Sequence, residues 1–269
     1  KGKKINRVLV KNRNLRFKLK PYFENKLKGQ FISNIQRFSK YIIIMLKNKS
    51  FCVIHLGMTG TIHIIKKKKK SLLTNTSFYH SPILPKKHNH IEFFFDDIKL
   101  IYNDPRRFGF FLLIKDKENL KNVFKNYGPE PFDKKFNLDY LVNFLKGKKK
   151  DIKGFLLDQK FVSGIGNIYA SEILYSSKIN PLTPAKKLKK SQLRNIIKSS
   201  KEILYKAIKE GGSSIRDFKN TTGDTGGFQK KFKVYGRDKK NCKRLKCLGI
   251  IDKIIQSNRS TFYCKICQK

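Results

Sequence analysis

Four of the five cysteines in this 269-residue chain lie beyond residue 241: Cys242, Cys247, Cys264 and Cys267. Their spacing is C-x4-C, sixteen residues, then C-x2-C. Four such thiols can make two disulfides or hold one metal ion. The chain opens KGKKINRVLV, without the apolar core of a secretory signal. The expectation is therefore a reducing, cytoplasmic setting, where paired cysteines favour metal over disulfide. Zinc suits the pattern, because two close cysteine pairs on two turns can complete a thiolate tetrahedron. The expected cofactor is one structural Zn2+, with residues 250–262 as a hairpin joining the pairs. Arg259 falls between the pairs, flanked by Asn258 and Ser260, at the tip or shoulder of that hairpin. A guanidinium there can clasp a phosphate in bidentate fashion. Cys52 sits in an apolar run and reads as a small core residue.

Two further stretches carry chemistry. LDQKFVSGIGNIYASE (157–172) reads as a helix, a glycine turn and a second helix with Asn167 at its N-cap. Glycines allow close approach of backbone to a partner, and a helix start offers free N–H groups to an anion. An ordinary packed helix–turn–helix has the same signature. NDPRRFG (103–109) presents two arginines and an aromatic on an Asp-Pro turn. Such a turn can enter a duplex, the arginine on base edges and the phenylalanine as a wedge. It can equally be a surface ion pair beside a buried phenylalanine.

Charge bears on both choices. The formal net charge is +43, from 62 Lys and Arg against 19 Asp and Glu. A chain this basic attracts polyanions, nucleic acid first and an anionic membrane surface second. The bias toward Lys, Ile, Asn and Phe, with no Trp, also matches AT-rich coding, so part of the charge carries no selected contact. The lysine run at 66–70 reads as a solvated loop. No apolar run reaches the length of a membrane span.

The elements that position these residues change character along the chain. Short β-branched or aromatic runs at 8–10, 41–46, 51–55, 61–65, 91–95 and 110–114 indicate a β-sandwich or barrel. Residues 66–87 read as a long exposed loop. From about 120 the period becomes helical, at 138–145, 152–159, 168–175 and 192–208. Gly and Thr clusters at 212–214 and 221–227 mark a loop.

Taken in order, QRFSKY (36–41), HLGMTG (55–60), KHNH (87–90), DPRRFG (104–109), GPEP (128–131), GIGNIYASE (164–172), EGG (210–212), VYG (234–236) and RSTFYC (259–264) resemble the formamidopyrimidine-DNA glycosylase family. These are bifunctional enzymes that excise oxidised purines. The resemblance implies an α+β fold: an N-terminal β-sandwich (1–118), a helix-two-turn-helix domain (119–228) and a C-terminal zinc-finger β-hairpin (229–269). It implies action on double-stranded DNA that contains oxidised bases; no interface signal in the sequence requires an oligomer, so a monomer with no membrane partner is the expectation. Lys40 resembles the lysine that contacts the lesion phosphate and donates a proton in β-elimination. Arg259 resembles the arginine that grips phosphates and serves δ-elimination. Met58, Arg106 and Phe108 resemble the trio that fills the gap left by a flipped base, Arg106 facing the orphaned cytosine. His88, Lys148, Lys153 and Asn167 match DNA-contacting positions, and 212–228 matches a loop that closes over the extruded base.

Two departures stand out. The family's nucleophile is an N-terminal proline followed by glutamate, whereas KGKKINRVLV matches the family only after its first helix, and Pro21 and Pro129 are internal. Either a segment precedes the present Lys1, or the chain is a catalytically silent relative that binds damaged DNA. The first cysteine pair is C-x4-C where the family has C-x2-C. A zinc-ribbon RNA-binding or ribosomal protein is the reading from another class, carried by charge and cysteines alone.

Overall fold

The computed structural model describes residues 1–66, 86–213 and 227–269. Nearly all of the expected basic loop at 66–87, and most of the expected closing loop at 212–228, lie outside the described residues. The chain divides into two compact units, Lys1–Lys125 with Ser213–Gly227, and Asn126–Gly212 with Phe228–Lys269.

The first unit contains β1 (Arg7–Val10), α1 (Phe23–Leu27), β2 (Ile32–Phe38), β3 (Tyr41–Leu46), β4 (Phe51–His55), β5 (Thr61–Lys66), β6 (Asn89–Phe94), β7 (Ile98–Asn103), β8 (Phe110–Ile114) and α2 (Lys117–Phe124). Two antiparallel four-stranded sheets form, in the orders β1-β6-β7-β5 and β2-β3-β4-β8. Strands β3 and β4 are apolar without alternation because both their faces are covered. Ile44, Cys52 and Ile54 join the core between the sheets, with Phe93, Tyr102 and Phe111. The alternate residues Ile43, Phe51 and Val53 pack on the outer side with Leu120 and Phe124 of α2. Each such burial is worth about 1.5–3 kcal/mol. Helix α1 adds Phe23 and Leu27 to the inner core, both nearly free of solvent contact. Asp116 caps α2 by accepting the Asn119 N–H at 2.8 Å.

The second unit contains α3 (Leu138–Leu145), α4 (Ile152–Leu156), α5 (Asn167–Ser176), α6 (Lys190–Lys209) and the hairpin β9 (Ile251–Gln256) and β10 (Arg259–Cys264). Asn137 and Asp151 cap α3 and α4 through their side chains. Helix α5 is buried over Ala170, Ser171, Glu172, Ile173, Leu174 and Tyr175, packed by α6 and β10. Inside it, the Glu172 carboxylate accepts the backbone N–H groups of Lys233, Val234 and Tyr235 at 2.9–3.1 Å. That clamp pins the segment leading into the cysteine hairpin. The hairpin has its own small core of Val234, Ile251, Phe262 and Cys264.

The helix expected at 152–159 ends at Leu156. Gln159 instead ties the turn that follows, accepting the Gly164 N–H at 2.8 Å and donating to the carbonyl of Ile165 at 3.3 Å. Gly164 adopts φ +94°, a conformation that a side chain would strain. Among the described residues, no helix is long and apolar enough to cross a membrane.

Candidate nucleic-acid interface

In the first unit, the DPRRFG turn folds around its own aspartate. Asp104 is fully buried. Its carboxylate accepts the hydroxyls of Thr59 and Tyr102 and the backbone N–H groups of Arg106 (3.2 Å) and Gly109 (2.9 Å). Burial, the Asp104 charge and that hydrogen bond push the Tyr102 phenol well above its usual range, so it stays a donor. Gly109 tolerates no side chain, since a Cβ there would lie 1.9 Å from the Tyr102 hydroxyl. With its backbone held, the turn presents its side chains outward. The Arg106 guanidinium lies 4.5 Å from the Phe108 ring centroid, a cation–π contact. Phe108 is 42% exposed and Met58 57% exposed, so both apolar side chains are open to solvent. The Met58 turn lies against the Phe108 turn, because a Cβ on Gly57 would sit 2.6 Å from the Gly109 nitrogen. The structure thus brings Met58, Arg106 and Phe108 to one edge.

Lys40 stands exposed at the β2–β3 turn, beside Ser39 in a left-handed conformation (φ 52°). His55, at the end of β4, stacks on Phe110 and accepts the Gly57 N–H at Nδ1, 3.0 Å away. Burial first, and then the charges of Lys40 and Arg16, lower its pKa. Three basic groups therefore converge near the HLGMTG turn. An open groove of about 610 Å³ is lined by Asn14, Leu15, Arg16, Arg106, Arg107 and Phe108. The sequence reading missed Arg16, whose signal was faint: alternating Arg and Asn at 12–16 after a strand. His88 adjoins the same turn, its carbonyl accepting the Asp104 N–H at 3.0 Å.

In the second unit, Asn167 is the first residue of α5 and Gly166 is its N-cap. The Asn167 side chain points instead at the hairpin, donating from Nδ2 to the Ser260 carbonyl at 2.8 Å. Its Oδ1 is buried without a partner. Lys153 is wholly buried, and its Nζ donates to the Thr261 hydroxyl at 2.6 Å. Burial lowers its pKa to about 8; Asp151 opposes that shift and Arg259 adds to it. Arg259 itself is exposed at the start of β10, after a two-residue turn in which Ser257 and Asn258 both have positive φ. Lys153, Asn167 and Arg259 are therefore grouped around one end of the hairpin. Lys148 is exposed in the α3–α4 connection, where its carbonyl accepts the Lys186 N–H.

The four late cysteines converge. Their sulfurs all lie within 4.8 Å of one another, with Cys242–Cys267 at 3.8 Å and Cys247–Cys264 at 3.7 Å. A tetrahedral site with metal–sulfur bonds of about 2.3 Å has edges of about 3.8 Å, so the donor set fits a metal ion. The longer C-x4-C knuckle is absorbed by Lys246 in a left-handed conformation and a Cys247 N–H to Arg244 carbonyl turn at 3.1 Å.

The comparisons with known proteins cover this same ground. The profile described as formamidopyrimidine-DNA glycosylase N-terminal domain matches residues 1–111, and that of the formamidopyrimidine-DNA glycosylase H2TH domain matches 127–219. The chain belongs to the formamidopyrimidine-DNA glycosylase family. A glycosylase of that name from Wolbachia sp. subsp. Drosophila simulans is 39% identical over 269 residues, spanning 100% of this chain and 93% of the relative. The one from Agrobacterium fabrum is 35% identical over 279 residues, spanning 100% and 94%. Among solved structures, a Lactococcus lactis FPG variant in complex with a Fapy-dG containing DNA has TM-score 0.87 and 32% identity, covering 100% of this chain and 93% of that one. A MutM in complex with carbocyclic 8-oxo-G containing DNA has TM-score 0.86 and 33% identity over the same shares. The sandwich, the helix-two-turn-helix unit and the four-cysteine hairpin are those of the glycosylase family.

Proposed function

We propose that this chain is a base-excision repair glycosylase with AP lyase activity, acting on oxidised purines in double-stranded DNA. The observation that carries the reading is the outward Met58, Arg106 and Phe108 edge, held from behind by buried Asp104. A glycosylase cannot reach C1′ inside the stack, so it extrudes the nucleotide and fills the space left behind. Two exposed apolar side chains and one guanidinium suit that filling role, as wedges for the stack and a donor for the orphaned base. Membership of the family implies an amine that attacks C1′ and displaces the damaged base, a Schiff base formed as the sugar ring opens, and elimination that expels the strand's phosphate. In this reading Lys40 meets the lesion phosphate and donates a proton, and Arg259 grips the neighbouring phosphates. His88, Lys148, Lys153 and Asn167 contribute to holding the duplex. Asn167 does so by tying the start of α5 to the hairpin at Ser260, and Lys153 acts from beneath Thr261 and Arg259 rather than from the surface.

Cys242, Cys247, Cys264 and Cys267 hold one Zn2+ in this reading, which supplies cross-linking of the hairpin and no reaction step. The sulfur spacing supports it.

The decisive experiment incubates the natural-source protein with an 8-oxoguanine duplex, scoring strand cutting and borohydride trapping of a covalent complex. Cutting with trapping supports the enzyme. Lesion-selective binding with neither would replace it by a silent damaged-DNA-binding protein. Equal affinity for structured RNA at the same salt would sink both.

A further inference from the structure

A second basic site lies within the second unit. A pocket of about 580 Å³ opens beside the C-terminal half of α5, α6 and the segment after Gly227. Its wall includes Lys206, Lys230, Lys233, Lys243 and Arg244. Among the described residues, none of those four lysines makes an ion pair. The neighbouring Lys231 is engaged by Glu210 at 2.5 Å. The carboxylate on the wall, Glu172, accepts three backbone N–H groups and, among the described residues, forms no ion pair with these lysines. Arg244 is locked in place: its guanidinium stands over the Tyr175 ring at 4.7 Å and donates to the Tyr175 carbonyl at 2.5 Å. Its Nε is buried with no partner.

We propose that this pocket binds closely spaced phosphate groups. Like charges gathered in a concavity repel, and an anion bearing several charges offsets that cost better than separate monovalent ions. The volume falls within the ~300–1,000 Å³ of ordinary ligand sites. A lysine run on one loop reflects local composition. Here the cations come from α6, from 230–233 and from the cysteine knuckle, three segments that only the fold brings together. The buried rings of Tyr175 and Phe228 give the pocket a rigid floor. The site is separate from the hairpin tip. Asn167, at one end of α5, contacts Ser260, whereas Tyr175 lies about 12 Å further along at 1.5 Å rise per residue. The proposal stands apart from the glycosylase reading and does not depend on it. The phosphates can come from a soluble polyphosphate-bearing molecule or from a nucleic-acid strand.

The test is isothermal titration of the full chain, metal-loaded, with tripolyphosphate and separately with a short oligothymidylate, at roughly 0.15 M salt. Two variants remove three charges each. Lys206→Gln with Lys230→Gln and Lys233→Gln alters the pocket, and Lys117→Gln with Lys121→Gln and Lys125→Gln alters the α2 surface. The pocket variant is expected to lose about tenfold or more in affinity for at least one probe, and the α2 variant less than about twofold. Loss for tripolyphosphate identifies a soluble polyphosphate site; loss for the oligonucleotide alone identifies a strand site. Lys230→Glu, a single exposed change, gives the same ranking if the triple variant melts early. Equal losses in both triple variants, or no measurable binding of either probe, would overturn the proposal.

Discussion

The Asp104 carboxylate accepts the Gly109 N–H at 2.9 Å and the Arg106 N–H at 3.2 Å, so one buried side chain sets the backbone from which Arg106 and Phe108 project. Replacing it by asparagine puts an amide donor against at least one of the hydroxyls or N–H groups it now receives. Asp104→Asn is expected to cost about 3 kcal/mol of stability, measured by urea denaturation. Discrimination between bases opposite the lesion should fall alongside. Unchanged discrimination in a folded variant would separate the turn from base reading.

Lys40→Ala should slow strand scission about a hundredfold while binding to an abasic-site duplex falls much less, as expected of a proton donor. Single-turnover cutting and a binding titration on one preparation decide it. If both fall equally, Lys40 is a phosphate contact and nothing more.

Metal analysis should find one zinc per chain. Chelation, or Cys264→Ser at a fully buried position, should release the hairpin and weaken DNA binding with it. An apo protein with an unchanged melting curve and intact DNA affinity would remove the metal from the account.

Lys153 makes a pH signature. Its folded pKa is lowered to about 8 from 10.5, so between those values the unfolded chain binds more protons than the folded one. Stability contributed at this position therefore rises as pH climbs from about 8 to 10, and is flat below. Lys153→Met should flatten that rise, compared by denaturation at pH 7.5 and 9.5. An identical pH slope in both proteins would show that Lys153 keeps its ordinary pKa.

Much of this could be read from residue order, for reasons that differ by element. Strands β3, β4 and β8 are apolar runs because they are covered on both faces, and their bounds at 41–46, 51–55 and 110–114 are those of the structure. Strand β2 (ISNIQRF) went unseen because it is an edge strand, exposed at most positions, that owes its state to pairing with β3. Helix α2 is one short amphipathic segment that owes its place to Leu120 and Phe124. The cysteine cluster was legible because spacing is enough to specify it. The partners of Asp104, Gln159 and Glu172 were not, since a buried acceptor is defined by backbone groups distant in sequence. The family resemblance marked Lys153 as a DNA-contacting position; its full burial is a tertiary property that a motif match does not reveal. Asn167 is a good capping residue by type, yet its side chain serves the hairpin and leaves the cap to Gly166.

Helix α5 touches the hairpin at both ends, through Asn167 on Ser260 and through the Tyr175 hydroxyl on the Cys242 sulfur at 3.2 Å. A rod fixed at two points cannot let one go without disturbing the other. By thermodynamic reciprocity, if metal loading tightens the grip on DNA, then bound DNA raises the affinity for metal by the same free energy. If the four cysteines hold zinc, scarcity of the metal would strip it first from the copies that are not engaged on DNA.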